Sequence, residues 1–466
     1  MKYVIYSISI FLFLFTGCAS DQNTVGVLLN NKSTFDGYTL FTIHTETYLI
    51  NNDGEVVHQW TSEYSSGKSV YLLENGNLLR AAQIPDPPGK ILIPSVGGRV
   101  ELFDWDGNLI WGYNYCTTKA SQHHDVFPMP NGNVLMLAVT IIDEAEAIQM
   151  GRKLLTPPFK QIYNEQILEL VPKNSNDADI VWEWNIIDHL IQDYDSSKDN
   201  YGNISANPQL LDLNYLGTGS GPSWQHINSI QYNAELDQIV FSSKHLGEIY
   251  IIDHSTTTAE AASSSGGIYQ KGGDFLYRWG NPIAYGQGTP DDQKLFGPHY
   301  PHWIGEGLKD AGKIILFNNG ANRTPNYSEV DIITPPTGAP GEYIYKANSA
   351  YGPKSPDYIY TAPVKTDFYS PFQSSAQRLP NGNTFICEGK PGHFFEIDPD
   401  ENIVWEYINP VGAAEILNQG DDPASTSNSI FRAKKYSKEY AAFKGRNLTP
   451  GLPIEKNPDL TKCVLY

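Results

Sequence analysis

The sequence predicts an all-β protein, a six-bladed β-propeller with helical and loop insertions on one face. Three observations support this prediction: a recurring hairpin motif, an aromatic-rich strand pair that follows it, and a composition suited to short strands and turns. Aromatic residues make up 12% of the 466 residues, charged residues only 18%, and glycine and proline number 40 and 31. Such a composition favours strands joined by tight turns over a helical bundle.

The first recurring unit is a hairpin with a polar, glycine-containing turn. It occurs as VYLLENGNLLRA (70–81), VFPMPNGNVLMLA (126–138) and AQRLPNGNTFICE (376–388), with looser copies at 229–243 and 303–319. The Asn-Gly and Gly-Asn pairs suit tight turns that need a positive φ. Each copy therefore predicts two antiparallel strands.

The second recurring unit pairs a strand ending in Asp or Asn with a strand ending near Trp or Tyr, as in ELFDWDGNLIWGY (101–113) and FFEIDPDENIVWEY (394–407). Together the two units make four antiparallel strands, the usual content of a propeller blade. Six such repeats lie near 36–66, 68–115, 123–186, 225–282, 300–362 and 372–410. The first repeat lacks an innermost strand. We expect segment 428–440 to supply it and close the ring, because an open ring exposes strand edges.

Two insertions interrupt the repeats. Residues 142–156 predict a helix, and IIDHLIQDYD, at the start of the insertion 186–220, predicts another short helix. Long insertions between strands lie on the surface of a propeller, where they can wall a pocket.

The N-terminus begins MKYVIYSISIFLFLFTGCAS, with Lys2 before an apolar run that is too short for a confident transmembrane span. This pattern predicts a secretory signal, and the small residues before Cys18 resemble a bacterial lipobox in which Cys18 is lipidated. Plain secretion after signal cleavage is the alternative. The predicted order is a signal peptide (1–17), a linker (18–35), the propeller (36–445) and a C-terminal tail (446–466). We therefore expect a periplasmic or cell-envelope protein, anchored to the membrane by lipid.

The net charge of −20 predicts a surface that repels nucleic acids. An anionic substrate would therefore require a local positive cluster. Besides Cys18 the chain has Cys116, Cys387 and Cys463, an odd number that leaves at least one thiol unpaired. Because no CxxC motif or Cys/His zinc spacing is present, the sequence predicts no metal site.

Histidines are concentrated where the innermost strands begin. Side chains at these positions converge on the central funnel from different blades, and His226 and His302 are the strongest candidates. Further candidates are His123, His124, His245 and His299. One of the adjacent pair His123 and His124 must point away from the axis, because neighbours on a strand face opposite sides.

Several histidines with an arginine can bind a metal, bind an anion or catalyse group transfer. Metal sites usually need nearby carboxylates and a clear ligand spacing. Imidazole suits nucleophilic and acid–base catalysis because its pKa is near neutrality. Arginine, here Arg323, suits the oxygens of phosphate- or sulfate-like groups.

Five segments together resemble the bacterial arylsulfate sulfotransferases. They occur in the family's order over roughly residues 36–440, as HHDVFPMPNGNVLML, HINSIQYNAELDQIVFSSKH, GPHYPHW, ILFNNGANR and FYSPFQSSAQRLPNGNTFICEGKPGHFFEI. The resemblance implies a six-bladed periplasmic propeller. It also implies transfer of a sulfuryl group from a phenolic sulfate ester to a phenol without the nucleotide donor PAPS, through a transiently sulfated histidine.

By position, the resemblance assigns the nucleophile to His393, a sulfuryl contact to His302, sulfate binding to Arg323 and a possible acid–base role to His226. We expect substrate binding to involve His124, His245, His299, Tyr300 and Tyr369. The reaction implied by the resemblance needs neither a metal nor a soluble cofactor. Its partners are a small phenolic sulfate and a phenol.

Two other functions are compatible with the same residues. One is a non-catalytic surface lipoprotein whose propeller binds an anionic or glycan ligand. The other is a metal-dependent lyase or hydrolase on the same fold.

Overall fold

The structure is a computed structural model that describes residues 23–458, except residues 90, 92, 94, 96 and 154–159. In this part of the chain, six antiparallel sheets surround a common axis, and their innermost strands contact one another around it. The arrangement is a six-bladed β-propeller, which confirms the predicted fold class.

The strands of blades 1 to 3, with the strand that precedes them, are in chain order β1 (Gly26–Asn30), β2 (Gly37–Ile43), β3 (Glu46–Ile50), β4 (Val56–Thr61), β5 (Ser66–Leu72), β6 (Leu78–Gln83), β7 (Gly98–Phe103), β8 (Leu109–Asn114), β9 (Ala120–Pro128), β10 (Val134–Asp143), β11 (Gln161–Lys173) and β12 (Asp177–Asn185). An insertion then holds the short parallel pair β13 (Leu190–Ile191) and β14 (Leu211–Asp212).

The strands of blades 4 to 6, with the strand that follows them, are β15 (Ile227–Asn233), β16 (Gln238–Ser243), β17 (Glu248–Asp253), β18 (Tyr277–Trp279), β19 (His299–Trp303), β20 (Ile314–Asn318), β21 (Glu329–Ile333), β22 (Tyr358–Tyr360), β23 (Ser375–Arg378), β24 (Thr384–Glu388), β25 (His393–Ile397), β26 (Ile403–Ile408) and β27 (Ala433–Ser437). The α-helices are α1 (Glu144–Gln149) and α2 (Thr258–Ala261). The 3-10 helices span Ile186–His189, Ile204–Ala206, Pro282–Tyr285, Pro290–Asp292, Lys365–Asp367, Pro423–Ser425 and Ala441–Phe443.

The ring is closed by strands from both ends of the chain. β27 pairs with β2 and forms the innermost strand of blade 1, as predicted for segment 428–440. β1 pairs with β26 and adds a fifth, outer strand to blade 6. The sequence predicts a linker for this segment. In the structure, however, Val27 is buried in the core beside Phe41 and Tyr407, and β1 covers an otherwise open strand edge.

The two predicted helical segments are shorter than expected. Within 142–156, α1 begins after Asp143, whose side chain accepts from the N–H of Glu146 and caps the helix. The start of the second insertion forms the 3-10 helix Ile186–His189. In the predicted C-terminal tail, Pro453 and Lys456 form isolated bridges with the body of the propeller.

Tryptophans in the fourth strand of a blade join neighbouring blades. In five blades, the indole N–H of a buried tryptophan donates to a backbone carbonyl of the next blade at 2.8–3.0 Å. The pairs are Trp60 to Asp104, Trp111 to Asp177, Trp184 to Gly273, Trp279 to Pro353 and Trp405 to Asn52. This repeated bond explains why the second recurring unit ends in an aromatic residue. A buried indole needs a partner for its N–H.

Candidate functional site

A cavity of about 320 Å³ lies at the axis, where the innermost strands begin. Its lining residues come from loops and strands of different blades. They are Lys68, Ser95, His124, His226, Lys244, His299, Phe372, Gln373 and Phe431. The cavity therefore gathers three of the predicted site histidines, His124, His226 and His299.

The innermost strands share a backbone feature beside this cavity. In five of them a non-glycine residue within the strand or just before it has a positive φ: Lys68 at 115°, His124 at 50°, His226 at 52°, Tyr300 at 53° and Ser374 at 87°. Four of these strands also carry a bulge close to that residue. A left-handed conformation costs a non-glycine residue about 1–2 kcal/mol. The positive φ recurs around the axis. This recurrence indicates that the unusual backbone directs side chains at the cavity, and that the rest of the fold offsets its cost.

The histidines form a close group. The ring of His226 lies 4.9 Å from that of His124 and 4.7 Å from that of His245. Burial, followed by repulsion from neighbouring histidines, lowers the pKa of His124 and His226 well below its usual value. These imidazoles are therefore neutral at physiological pH, and each can accept a proton or offer a lone pair.

The position of the proton on His299 follows from its neighbours. Its Nδ1 lies 2.7 Å from Oδ1 of Asn319 and 3.1 Å from the carbonyl of Gly297, so Nδ1 donates. Its Nε2 accepts from the backbone N–H of Gln373 at 3.2 Å. Burial lowers the pKa of His299 to about 3. The ring is thus neutral, with its lone pair on Nε2.

Two lysines make the cavity electropositive. Lys68 and Lys244 both line it, and among the described residues neither has a carboxylate within ion-pair distance. Burial lowers the pKa of both ammonium groups. No aspartate or glutamate lines the described cavity. A protein of net charge −20 therefore has a local positive site at its centre, as an anionic ligand would require.

Neither lysine is among the site residues predicted from the sequence, although the repeat register contains a signal. Lys68 lies two residues before the hairpin motif at 70–81, and His124 lies two residues before the motif at 126–138. Lys244 immediately precedes His245 at the end of β16. The position two residues before a hairpin motif is therefore the signal that identifies Lys68.

His393 does not lie in the cavity. It begins β25, the third strand of blade 6, and both of its ring nitrogens face carboxylates. Nδ1 is 3.0 Å from Oε2 of Glu388, and Nε2 is 2.9 Å from Oε1 of Glu406. Despite burial, these carboxylates raise the pKa of His393 to about 9. A protonated imidazole held in this way has no free lone pair for attack.

Arg323 and Tyr369 also lie apart from the cavity lining. The guanidinium of Arg323 pairs with Glu329 at 2.7 Å, donates to the carbonyl of Tyr327 and stacks on the ring of Tyr327. The charge of Arg323 is therefore already neutralised by Glu329, the first residue of β21. The backbone N–H of Tyr369 donates to Glu388, the carboxylate that holds His393.

His302 and Tyr300 line a second cavity of about 610 Å³ at the opposite ends of the innermost strands. Between the two cavities, Arg432 pairs with Asp125 at 2.9 Å, donates to the hydroxyl of Tyr71 and lies over the ring of Tyr300. Arg432, Asp125 and Tyr71 are all buried. The structure thus separates His302 from the histidines of the first cavity.

His245 lies at the edge of the site. It shares a small side cavity of about 90 Å³ with Lys244, and its Nδ1 is 2.9 Å from the carbonyl of Ser223.

Cys116 and Cys387 are free thiols. Cys18, the signal segment and Cys463 lie outside the described residues. Within the described ranges, no group of His, Cys, Asp or Glu has a geometry for a metal ion, and no helix is long and apolar enough to cross a membrane.

Fold and cavity together define a class of protein: a six-bladed β-propeller with an axial cavity lined by histidines and lysines. A comparison with protein families narrows this class. The family model described as Arylsulfotransferase (ASST) matches residues 22–424. The chain therefore belongs to the arylsulfotransferase family, which confirms the resemblance noted in the sequence.

Two curated relatives are similar over part of the chain. The arylsulfate sulfotransferase AssT of Escherichia coli is 27% identical over 189 residues, which are 39% of this chain and 30% of that protein. The arylsulfate sulfotransferase AssT of Lelliottia amnigena is 25% identical over 186 residues, with the same coverage. The matches thus span less than a third of each relative. Among solved structures, a protein of unknown function from Bacteroides caccae gives a TM-score of 0.44 at 11% identity, covering 86% of this chain and 98% of that one.

Proposed function

We propose that this protein is a PAPS-independent arylsulfate sulfotransferase that moves a sulfuryl group from a phenolic sulfate ester to a phenol. Membership of the arylsulfotransferase family supports the class of reaction. The observation that carries the proposal is the cavity itself. Two lysines without carboxylate partners and three neutral histidines face one space that no described carboxylate lines.

We assign the nucleophile to His299, in place of the His393 that the resemblance suggested. The neutral ring of His299 keeps its lone pair on Nε2, and Asn319 holds Nδ1–H in a fixed direction. Attack by Nε2 forms an N–S bond and breaks the S–O bond to the phenolate. The resulting imidazolium keeps its hydrogen bond to Asn319. A phenol then attacks the sulfur and breaks the N–S bond, which restores His299.

Lys68 and Lys244 would hold the peripheral sulfuryl oxygens. Transfer of this kind resembles phosphoryl transfer, in which a loose transition state spreads charge over the outer oxygens. Fixed cations in a partly dry cavity stabilise such charge more strongly than water does. The backbone N–H of Gln373, released when Nε2 of His299 attacks, becomes a further donor for these oxygens.

Phe372 and Phe431 supply apolar surface for an aryl group. Both line the cavity, and the ring of Phe431 lies 6.2 Å from His124 and 6.5 Å from His299. Aromatic rings at this spacing pack edge to face or offset, which favours a flat substrate over a sugar. A phenolic sulfate has both features that the cavity offers to a ligand, a flat ring and an anionic head.

The reaction is tested with para-nitrophenyl sulfate and a second phenol in the absence of PAPS. We expect release of nitrophenol that depends on the acceptor, and loss of that release in His299→Asn. Equal release without acceptor would indicate a sulfatase instead. Retention of aryl sulfate without any turnover would favour the non-catalytic binding lipoprotein. Activity that EDTA abolishes would favour a metal-dependent enzyme.

We also propose that the protein is exported and anchored in the cell envelope through a lipid on Cys18. The apolar segment before Thr16-Gly17-Cys18 supports this location. Fractionation of cells that produce the wild type and Cys18→Ala tests it. We expect the variant to leave the membrane fraction, whereas equal membrane retention would contradict lipidation at this residue.

A further inference from the structure

Two further titratable side chains, His123 and Glu165, form a chain behind His124 without lining the cavity. Nδ1 of His123 is 2.8 Å from Nδ1 of His124, with the two rings nearly perpendicular. Nε2 of His123 is 3.0 Å from Oε2 of Glu165, an ion-pair contact in which the two atoms do not have the geometry of a hydrogen bond. The side chains of His123 and Glu165 are each only 1% exposed. A buried carboxylate is thus connected to a cavity histidine through a second imidazole.

The other carboxylate oxygen of Glu165, Oε1, makes a hydrogen bond to a different strand. Oε1 accepts from the backbone N–H of Ile227 at 3.2 Å, and Ile227 follows His226 in the chain. The carboxylate is therefore held from two sides. This arrangement directs Oε2 at His123 and also ties the strand β11 to the start of β15.

The partners determine where the protons lie on the neutral chain. A carboxylate oxygen can only accept, so Nε2 of His123 carries a hydrogen. A neutral His123 then has its lone pair on Nδ1, and Nδ1 of His124 must donate to it. The lone pair of His124 is consequently on Nε2.

Resting on the sulfotransferase function proposed above, we propose that Glu165 and His123 are positioning residues of a proton relay that makes His124 the acid and base of sulfuryl transfer. Neither residue touches substrate. They act by fixing the orientation and tautomer of His124 and by stabilising its protonated form, as a carboxylate does for an imidazole in other catalytic chains.

The proton balance of the two half-reactions closes through this relay and water. At rest the relay is neutral, with the lone pair of His124 on Nε2. When the donor binds, the relay takes up one proton from water, so that Nε2 of His124 carries a hydrogen. As the S–O bond of the donor breaks, that hydrogen passes to the leaving phenolate and the relay is neutral again. In the second half-reaction the acceptor phenol gives its proton to Nε2 of His124 as its oxygen attacks sulfur, and release of this proton to water restores the resting relay.

The surroundings make the carboxylate necessary. The groups that face His124 are His123, His226, His299 and Lys68, each of which disfavours a positive charge on it. The neighbouring carboxylate, Asp125, is already bound to Arg432 and Tyr71. Among the described residues, Glu165 is therefore the anion that offsets charge on the relay.

The substitution Glu165→Gln tests this role because it keeps the shape of the side chain. Its amide oxygen can retain the Ile227 N–H, which turns the amide nitrogen toward His123. Both histidines must then adopt the opposite tautomer, with a hydrogen on Nε2 of His124. Neutral imidazole is a far weaker acid than imidazolium, so donors with poor leaving groups should suffer most.

We expect Glu165→Gln to lower kcat/KM by about tenfold or more for sulfates of weakly acidic phenols, with a smaller loss for para-nitrophenyl sulfate. Glu169→Gln is the matched control. Glu169 lies on the same strand and contacts His254 at 3.1 Å, but it does not line the cavity. We expect this control to show no change in leaving-group dependence. An equal loss for all donors in Glu165→Gln would overturn the relay.

A measurement independent of turnover separates the relay from the proposed function. Nitrogen NMR of histidine-labelled protein should show His124 protonated on Nδ1 in the wild type and on Nε2 in Glu165→Gln. Identical tautomers in both proteins would overturn the relay even in an active enzyme. Absence of transfer in the wild type, together with the expected tautomer change, would instead refute the sulfotransferase and retain the linked histidines.

Discussion

Lys244 is a partly buried cation that we expect to bind the ligand and to destabilise the fold. It lines the cavity without a carboxylate partner, its Nζ lies 5.9 Å from the ring of Phe372, and its charge contributes to lowering the pKa of His226 and His299. The substitution Lys244→Met keeps most of the stem and removes the charge. The structure therefore predicts opposite effects on activity and on stability.

The expected magnitudes follow from the contact that is lost. A hydrogen bond from a charged group contributes about 1.5–3 kcal/mol, so kcat/KM for an aryl sulfate should fall about ten- to hundredfold. Removal of an unpaired, partly buried charge from a functional site should raise the free energy of unfolding by about 0.5–2 kcal/mol.

Steady-state kinetics with para-nitrophenyl sulfate and denaturant unfolding measure the two effects of Lys244→Met. Lys173→Met provides the control, because Lys173 is an exposed lysine that pairs with Asp179. The control should leave both quantities nearly unchanged. A variant at Lys244 with normal kinetics, or with reduced stability and normal substrate binding, would refute the assignment of this lysine to the anion.

Two further predictions concern residues outside the cavity. The pKa of His393 is raised to about 9, so its pairing with Glu388 and Glu406 stabilises the fold fully below its unfolded pKa of about 6.5, and this stability is lost as pH rises through 9. His393→Gln should therefore retain transfer activity and show a smaller fall in Tm between pH 6.5 and 9.5 than the wild type; loss of transfer with an intact fold would contradict this placement. Trp405→Phe removes the bond to Asn52 that joins blades 6 and 1, and it should lower the free energy of unfolding by about 1–3 kcal/mol in denaturant titrations; an unchanged midpoint would contradict a role of this bond in ring closure.

The fold could be predicted in detail because its signal is local and repeated. Each hairpin carries its own turn residues, and in five blades a tryptophan bonds to the next blade. β27 was predicted because the first repeat lacked an inner strand. β1 was not, because five residues without a turn partner give no local pattern, and the strand exists only through pairing with β26.

Repeat register predicted part of the site. It selected His124, His226 and His299, which the structure brings to one cavity. It also selected His302, whereas His393 was selected through motif resemblance, and neither register nor the order of motifs says which end of a strand faces which opening. His302 lies only three residues after His299, yet that distance along β19 leads to the opposite cavity.

The carboxylates that contact the histidines could not be predicted from the sequence either. Nothing near His393 in the chain shows that Glu406, on the neighbouring strand, occupies its second nitrogen. The same holds for Glu165, which reaches His123 across the sheet of blade 3. Such contacts depend on strand register and side-chain packing, which single-sequence patterns do not specify.

Mapping of the sulfated residue tests the central claim most directly. The protein is exposed to para-nitrophenyl sulfate without an acceptor, digested under alkaline conditions that preserve sulfohistidine, and analysed by mass spectrometry. The account predicts one added SO3 group on His299, its loss after addition of a phenol, and its absence in His299→Asn. An adduct on His393, or turnover without any protein-bound sulfuryl group, would contradict it.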